Sequence, residues 1–378
     1  MKTSLTATLV GLAGLAALTA GCGTAPAAHV TTSAAGKFRP LSLATTITTT
    51  AGTWGVTLVG GKAADYNNFW QVLVQPADTG TWKLVTPPGV ASNGGMAIAP
   101  MKGNSLVAAF RPSQGLLFTP LAVTGNTGSS WSAGVIDAYL ADEPSAFGGD
   151  PATSTLIALL TNGSVEEGTA SGHWSVIGTE RSLGGSASGC RLTRLTGVTL
   201  TSAGMPLAAG DCAKRGQAGI FAYSGGKWQL AGLPLPGAFS RDSVLVLALT
   251  TVEGRTLALI QAGTNVLAGE LGHGGWSLSA PAALNGASVS SMSTGSSGQV
   301  GLVLTNGRGL LLTSITGSWQ TLTSLPAHTQ TLAIGPGSTV QAVVPDRSSA
   351  SFYDYQQSSG AWAMKQKLKI PVQFGSSS

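Results

Sequence analysis

Three features of this chain predict an all-β repeat fold. First, seven tryptophans (Trp82, Trp131, Trp174, Trp228, Trp276, Trp319 and Trp362) recur at intervals of 49, 43, 54, 48, 43 and 43 residues, each just after a short turn rich in glycine or serine. Second, the segments around them align with one another. Leu156 to Leu160 leads into Thr161-Asn162-Gly163, a strand, and then Gly172-His173-Trp174; Val300 to Leu304 leads into Thr305-Asn306-Gly307 and then Gly317-Ser318-Trp319; Leu257 to Ile260 leads into Gly263 and Gly274-Gly275-Trp276. The turn glycine precedes the tryptophan by 11, 12 and 13 residues, the length of one strand and two tight turns. Third, stretches such as Ser105 to Phe110 and Val244 to Leu249 are apolar at successive positions, which requires burial on both faces of a strand. A period of about 40 to 50 residues holding four short antiparallel strands is one propeller blade. The prediction is a seven-bladed β-propeller; six or eight blades also fit the unequal spacing.

Taken from the N-terminus, the first element is an export signal over residues 1–21. Lys2 is its positive end, Leu5 to Ala17 its apolar core, and Leu18-Thr19-Ala20-Gly21-Cys22 its small-residue exit. The apolar run is short of the roughly 20 residues that a membrane-spanning helix needs. This arrangement resembles the lipobox of bacterial lipoproteins, with Thr19 where leucine is usual. The resemblance implies that Cys22 is diacylated, becomes the mature N-terminus, and holds the protein on the extracytoplasmic face of the cell membrane. Two acyl chains hold stably where one holds marginally. An ordinary secretory signal with an accidental cysteine is the plainer alternative. Residues 22–37 are small and polar and read as a flexible tether, spanning roughly 20 Å as a coil.

Residues 38–374 read as the propeller, in segments 38–88, 89–137, 138–184, 185–236, 237–283, 284–325 and 326–374. The first is irregular, because Trp54 and Trp70 fall outside the register and Leu41 to Thr50 has an alternative pairing with the last blade that would close the ring and bury its edges. No segment after the signal has a helical period. The hairpins that carry the tryptophans, such as Ile220 to Trp228, loosely resemble those of kelch-type propellers but lack their doubled glycine. Asp78-Thr79-Gly80-Thr81-Trp82 is one residue short of the sialidase-type box. Both resemblances are architectural and imply no function.

Charged residues make up 9% of the chain and the formal charge is +5, against about 25% charged in an average soluble protein. Arginines such as Arg39, Arg111, Arg255 and Arg308 are scattered rather than clustered, which excludes nucleic acid as a partner. So few titratable groups also predict a weak dependence of stability on pH. Outside the cell, Cys190 and Cys212 favour a disulfide across a hairpin, Arg191 to Leu200 and Met205 to Gly210. A reactive thiol would need a base beside it, and only Lys214 and Arg215 are near in sequence.

The recurring tryptophans read as packing residues in the blade cores, with a ring of sugar-stacking indoles as the functional alternative. Trp70, beside Phe69 and Tyr66, is the better candidate for an exposed aromatic. The acidic stretch Asp137 to Glu143, followed by Asp150, offers a candidate ligand loop through Tyr139, Asp142, Glu143 and Asp150. Carboxylates there suit a cation or, as a pair, glycoside cleavage; a solvated loop is the plain alternative. The four histidines lack metal-ligand spacing, and neither a nucleophile elbow nor a phosphate loop is present. Lys365, Lys367 and Lys369 share one face of the last strand, protecting an edge or meeting an anionic surface. The expectation is a monomeric, membrane-anchored, non-catalytic binding or assembly platform without a cofactor, whose partner is an envelope protein or a glycan. The alternative is a secreted glycan-acting hydrolase or lyase with its site at the channel mouth.

Overall fold

The computed structural model describes residues 45–59, 69–87, 96–101, 105–110, 121–133, 144–150, 153–186 and 189–371. The signal, Cys22, the tether, Tyr66 and the acidic stretch with Tyr139, Asp142 and Glu143 lie outside the described residues.

The described strands make seven antiparallel four-stranded blades, over residues 45–84, 96–133, 146–179, 192–230, 244–278, 289–322 and 331–369. Each falls within one of the segments delimited from the sequence. Their turns follow from local chemistry. Asn162-Gly163 and Asn306-Gly307 place glycine at φ of 81° and 79°, where a Cβ would be strained. Each asparagine carboxamide then accepts the N–H two residues on, Ser164 at 2.8 Å and Arg308 at 3.1 Å, closing an Asx turn.

The second strand of a blade is sandwiched between neighbouring blades, which accounts for its two-sided apolar character. Val300–Leu304 is buried at every position, and Ser105–Phe110 at all but the first. The stretch from Val244 departs from that expectation. Val244–Val252 is the innermost strand of its blade, and Leu247 and Ala248 on it are only half-buried because they face the axis.

Seven apolar clusters fill the ring, each joining two consecutive blades, and the last pair, blade 7 against blade 1, is joined like the rest. The ring closes without exchanging strands between the termini. Thr45–Thr49 pairs with Gly52–Val59 of its own blade and, in parallel, with Val289–Thr294 of blade 6. The alternative pairing of this segment with the last blade is therefore not taken. Blade 7 sits behind that parallel pair: the hydroxyls of Thr46 and Ser293 both donate to the Leu332 carbonyl, at 2.6 and 2.5 Å, and Thr48 donates to the Ile334 carbonyl.

Side-chain amides then seal the seam. Gln366 of blade 7 accepts the Trp82 N–H and donates to the Trp82 carbonyl, both at 2.8 Å, as a strand would. Gln330 does the same to Leu58, at 3.0 and 3.3 Å. Gln341 accepts the Trp82 indole N–H at 2.8 Å, and the indole stacks on Phe352 at 4.7 Å.

One short helix departs from the strand-only expectation. Glu180–Ser186 (α1) links blades 3 and 4, started by a reciprocal cap in which the Ser182 N–H donates to the Thr179 hydroxyl while the Ser182 hydroxyl accepts the Thr179 N–H. Its buried Leu183 fills the cluster around Cys190, Leu195 and Trp228. Cys190 and Cys212 form a disulfide with Cα atoms 4.9 Å apart, fastening the hairpin of Leu192–Leu200 and Pro206–Cys212 at its open end.

Candidate functional site

The inner strands of blades 1 to 6 enclose a cavity of about 140 Å³ on the ring axis. Blade 7 contributes nothing to it, because the parallel pairing of blades 1 and 6 screens its inner strand. Ile47, Met96, Ile98, Phe147, Leu249 and Met292 form its apolar wall, with Thr45, Thr46, Thr196, Thr250 and Thr294 also among the lining residues; the Thr46 and Thr196 hydroxyls donate to the Leu332 and Val246 carbonyls. No carboxylate, imidazole, ammonium or guanidinium belongs to this lining among the described residues.

One end of the axis is crossed by a hairpin tip. The turn Glu253-Gly254 has positive φ at both residues, 48° and 75°, the geometry of a two-residue turn that ordinarily takes asparagine or aspartate first. Glutamate there reaches across to blade 1, where its Oε1 accepts the Thr50 N–H at 2.7 Å. Its neighbour Val252 is buried in the cluster shared by blades 1 and 2. The cavity lining runs out in the other direction, at Thr45, Met96 and Pro144.

Asp150 is buried rather than solvated: it lies at 1% exposure in the turn after Ala146–Gly149, where it accepts the Thr153 hydroxyl at 2.7 Å, and it does not line the cavity. Glu166 and Glu167 lie on Ser164–Thr169; burial pushes the Glu167 carboxyl above its usual range. Among the described residues no cluster of His, Cys, Asp and Glu is arranged to hold a metal.

None of the seven tryptophans lines the cavity. Trp131, Trp228 and Trp362 donate their indole N–H groups to backbone carbonyls of the preceding blade, Val85, Ile177 and Thr323, at 2.7 to 3.0 Å. Trp319 donates to the Ser279 hydroxyl. Trp174 lies over Gly168 of its own blade, and Trp276 packs in the cluster of blades 4 and 5. Trp70 is half-buried against the cluster of blades 1 and 2, which corrects the expectation of an exposed aromatic. Lys365, Lys367 and Lys369 are exposed on the outermost strand, Ala361–Lys369, with Lys365 3.5 Å from Asp354.

This arrangement defines the class: a β-propeller with an uncharged axial cavity. Solved structures agree on the fold. A protein from Lactobacillus plantarum is similar at a TM-score of 0.52 and 12% identity, covering 84% of this chain and 96% of its own. A putative 6-phosphogluconolactonase from Bacteroides fragilis is similar at 0.51 and 13%, covering 83% and 94%. A GH74 xyloglucanase from Xanthomonas campestris is similar at 0.51 and 12%, covering 83% of this chain and 53% of that one. No family model and no curated protein matches the chain.

Proposed function

We propose that this protein is a lipid-anchored, extracytoplasmic propeller that acts as a binding or assembly platform, with the axial cavity as its recognition site and no chemistry of its own. The observation that carries this reading is the lining. Acid–base and nucleophilic catalysis need titratable or nucleophile–base pairs within hydrogen-bond reach of a substrate, and among the described residues the lining carries no titratable side chain. Such walls suit an uncharged, largely apolar group. The glycan-hydrolase reading draws no support from Asp150, which is buried in a turn away from the cavity.

The test is a cross-linked capture from the protein's own envelope with the parent chain, Cys22→Ser and Ala248→Trp. Ala248 lines the cavity, and an indole there fills most of it. The expected result is a partner recovered with the parent and lost with Ala248→Trp, while Cys22→Ser abolishes membrane retention. Undiminished recovery with a folded Ala248→Trp chain would refute the cavity as the site.

A further inference from the structure

Among the described residues, the two ends of the ring differ in charge, and the difference concentrates in one sector. In an up-and-down blade, the turns after the first and third strands lie at one end, and the turn after the second strand and the link to the next blade lie at the other. The first end carries Asp78, Asp150, Glu253 and Glu270 against Lys83, Lys227 and Arg255, and Arg255 is paired to Glu270 at 2.6 Å. The second end gathers Arg181, Arg191, Lys214, Arg215 and Arg241 between blades 3 and 5, all exposed.

These cations come from three separate segments that the backbone ties together. The Ala213 N–H donates to the Arg191 carbonyl at 3.0 Å and the Lys214 N–H to the Cys190 carbonyl at 3.3 Å, beside the disulfide. The Gly216 N–H donates to the Asp242 carbonyl at 2.8 Å, and the Arg215 guanidinium to the Arg241 carbonyl at 3.1 Å. Arg181 is held alongside by α1, whose Leu183 packs on Cys190. The acidic groups on these segments are Glu180, whose Oε2 accepts the Leu195 N–H at 3.2 Å, and Asp242. None of the five cations forms a salt bridge with a described carboxylate.

The chain enters the ring at this same end. Thr45 opens the first inner strand there, since the turn that follows Thr49 lies at the other end. We propose that Arg181, Arg191, Lys214, Arg215 and Arg241 form a docking surface for an anionic lipid bilayer, turning the chain-entry end toward the membrane. The proposal rests on the extracytoplasmic, lipid-anchored reading for its setting and on charge and position for its surface. Attraction between exposed charges and an anionic surface fades beyond a Debye length of about 8 to 10 Å, so the surface acts only where it meets the bilayer closely. Basic side chains brought to an anionic surface each strengthen binding roughly fivefold.

The experiment is flotation of the full-length chain with vesicles of phosphatidylcholine alone and of an equimolar phosphatidylcholine and phosphatidylglycerol mixture. Binding through the apolar leader is common to both, so the readout is the ratio of the two partition coefficients. The parent should favour anionic vesicles, less so as salt rises. The combined variant Arg191→Gln, Lys214→Gln, Arg215→Gln and Arg241→Gln should lose about six-hundredfold of that preference with its melting temperature kept. The variant Lys365→Gln, Lys367→Gln and Lys369→Gln, on the outer strand of blade 7, should keep it. An unchanged ratio in the first variant, or an equal loss in the second, would overturn the proposal. Cys22→Ser leaves the ratio unchanged whether or not acylation occurs, so failure of the anchor and failure of the surface are told apart.

Discussion

Gln366→Leu tests how the ring is sealed. The side-chain amide of Gln366 satisfies both backbone groups of Trp82, a residue only 1% exposed. Leucine keeps most of the volume but offers neither donor nor acceptor. Trp82 is almost wholly buried, so the freed N–H and C=O are poorly rehydrated and each costs about 1 to 3 kcal/mol. Together they come to about 3 kcal/mol after partial relaxation. With an unfolding entropy of about 2.1 cal/mol/K per residue over the roughly 330 residues of the ring, that is a fall in Tm of about 4 °C. Gln330→Leu should cost less, about 1 kcal/mol, because Leu58 is half-exposed and its backbone can be rehydrated. Calorimetry on the two variants and the parent measures both shifts. A Gln366→Leu chain that melts with the parent, or no lower than Gln330→Leu, would refute amide pairing as the closure.

Gly178→Ala places a Cβ 2.4 Å from Trp228 Nε1 and 2.9 Å from Leu183, so the indole must leave the Ile177 carbonyl; urea unfolding should show a loss of about 2 to 3 kcal/mol. Gly185→Ala, on the open side of α1, should be neutral or stabilising by up to about 1 kcal/mol in the same assay. Replacing both Cys190 and Cys212 by alanine should cost about 3 kcal/mol, and reductant should lower the Tm of the parent but not of this variant. Glu167 has a folded pKa raised by burial, so the native state holds its proton more tightly than the unfolded chain. Its contribution therefore grows as pH falls from above the folded pKa toward the unfolded one, and is unfavourable at neutral pH. Glu167→Gln should remove that rise, seen as a flatter Tm profile in mild acid, while a steep fall of the parent's Tm there would contradict a chain so poor in titratable groups.

The repeat was legible because its markers are local. A tryptophan after a turn, an apolar second strand and, in blades 3 and 6, an Asn-Gly hairpin each sit within one blade, and the first two recur around the ring. Two elements escaped for opposite reasons. Glu180–Ser186 is too short and too rich in glycine, at Gly184 and Gly185, to show a helical period; its one readable sign is the Thr179-x-x-Ser182 cap. Val244–Val252 looked like a doubly buried strand because apolar side chains continue on the face turned to the axis. Composition alone does not separate a strand packed between blades from one lining an apolar cavity.

The seam and the cavity are related, and neither has a sequence signature. Because the first strand pairs in parallel with blade 6, it cannot also lie in blade 7, and the strand exchange that the irregular N-terminal segment suggested is ruled out by hydrogen-bond geometry. Backbone groups of Leu58 and Trp82 in blade 1 then face blade 7 without a paired strand, and three glutamines from the blade 7 segment, Gln330, Gln341 and Gln366, spread over 37 positions, meet them and the Trp82 indole. The same parallel pair narrows the axis to six walls, and Glu253 from the opposite side crosses one end. An axial channel thereby becomes a small closed-ended cavity through contacts between residues some 200 to 290 positions apart, which no window of sequence could have displayed.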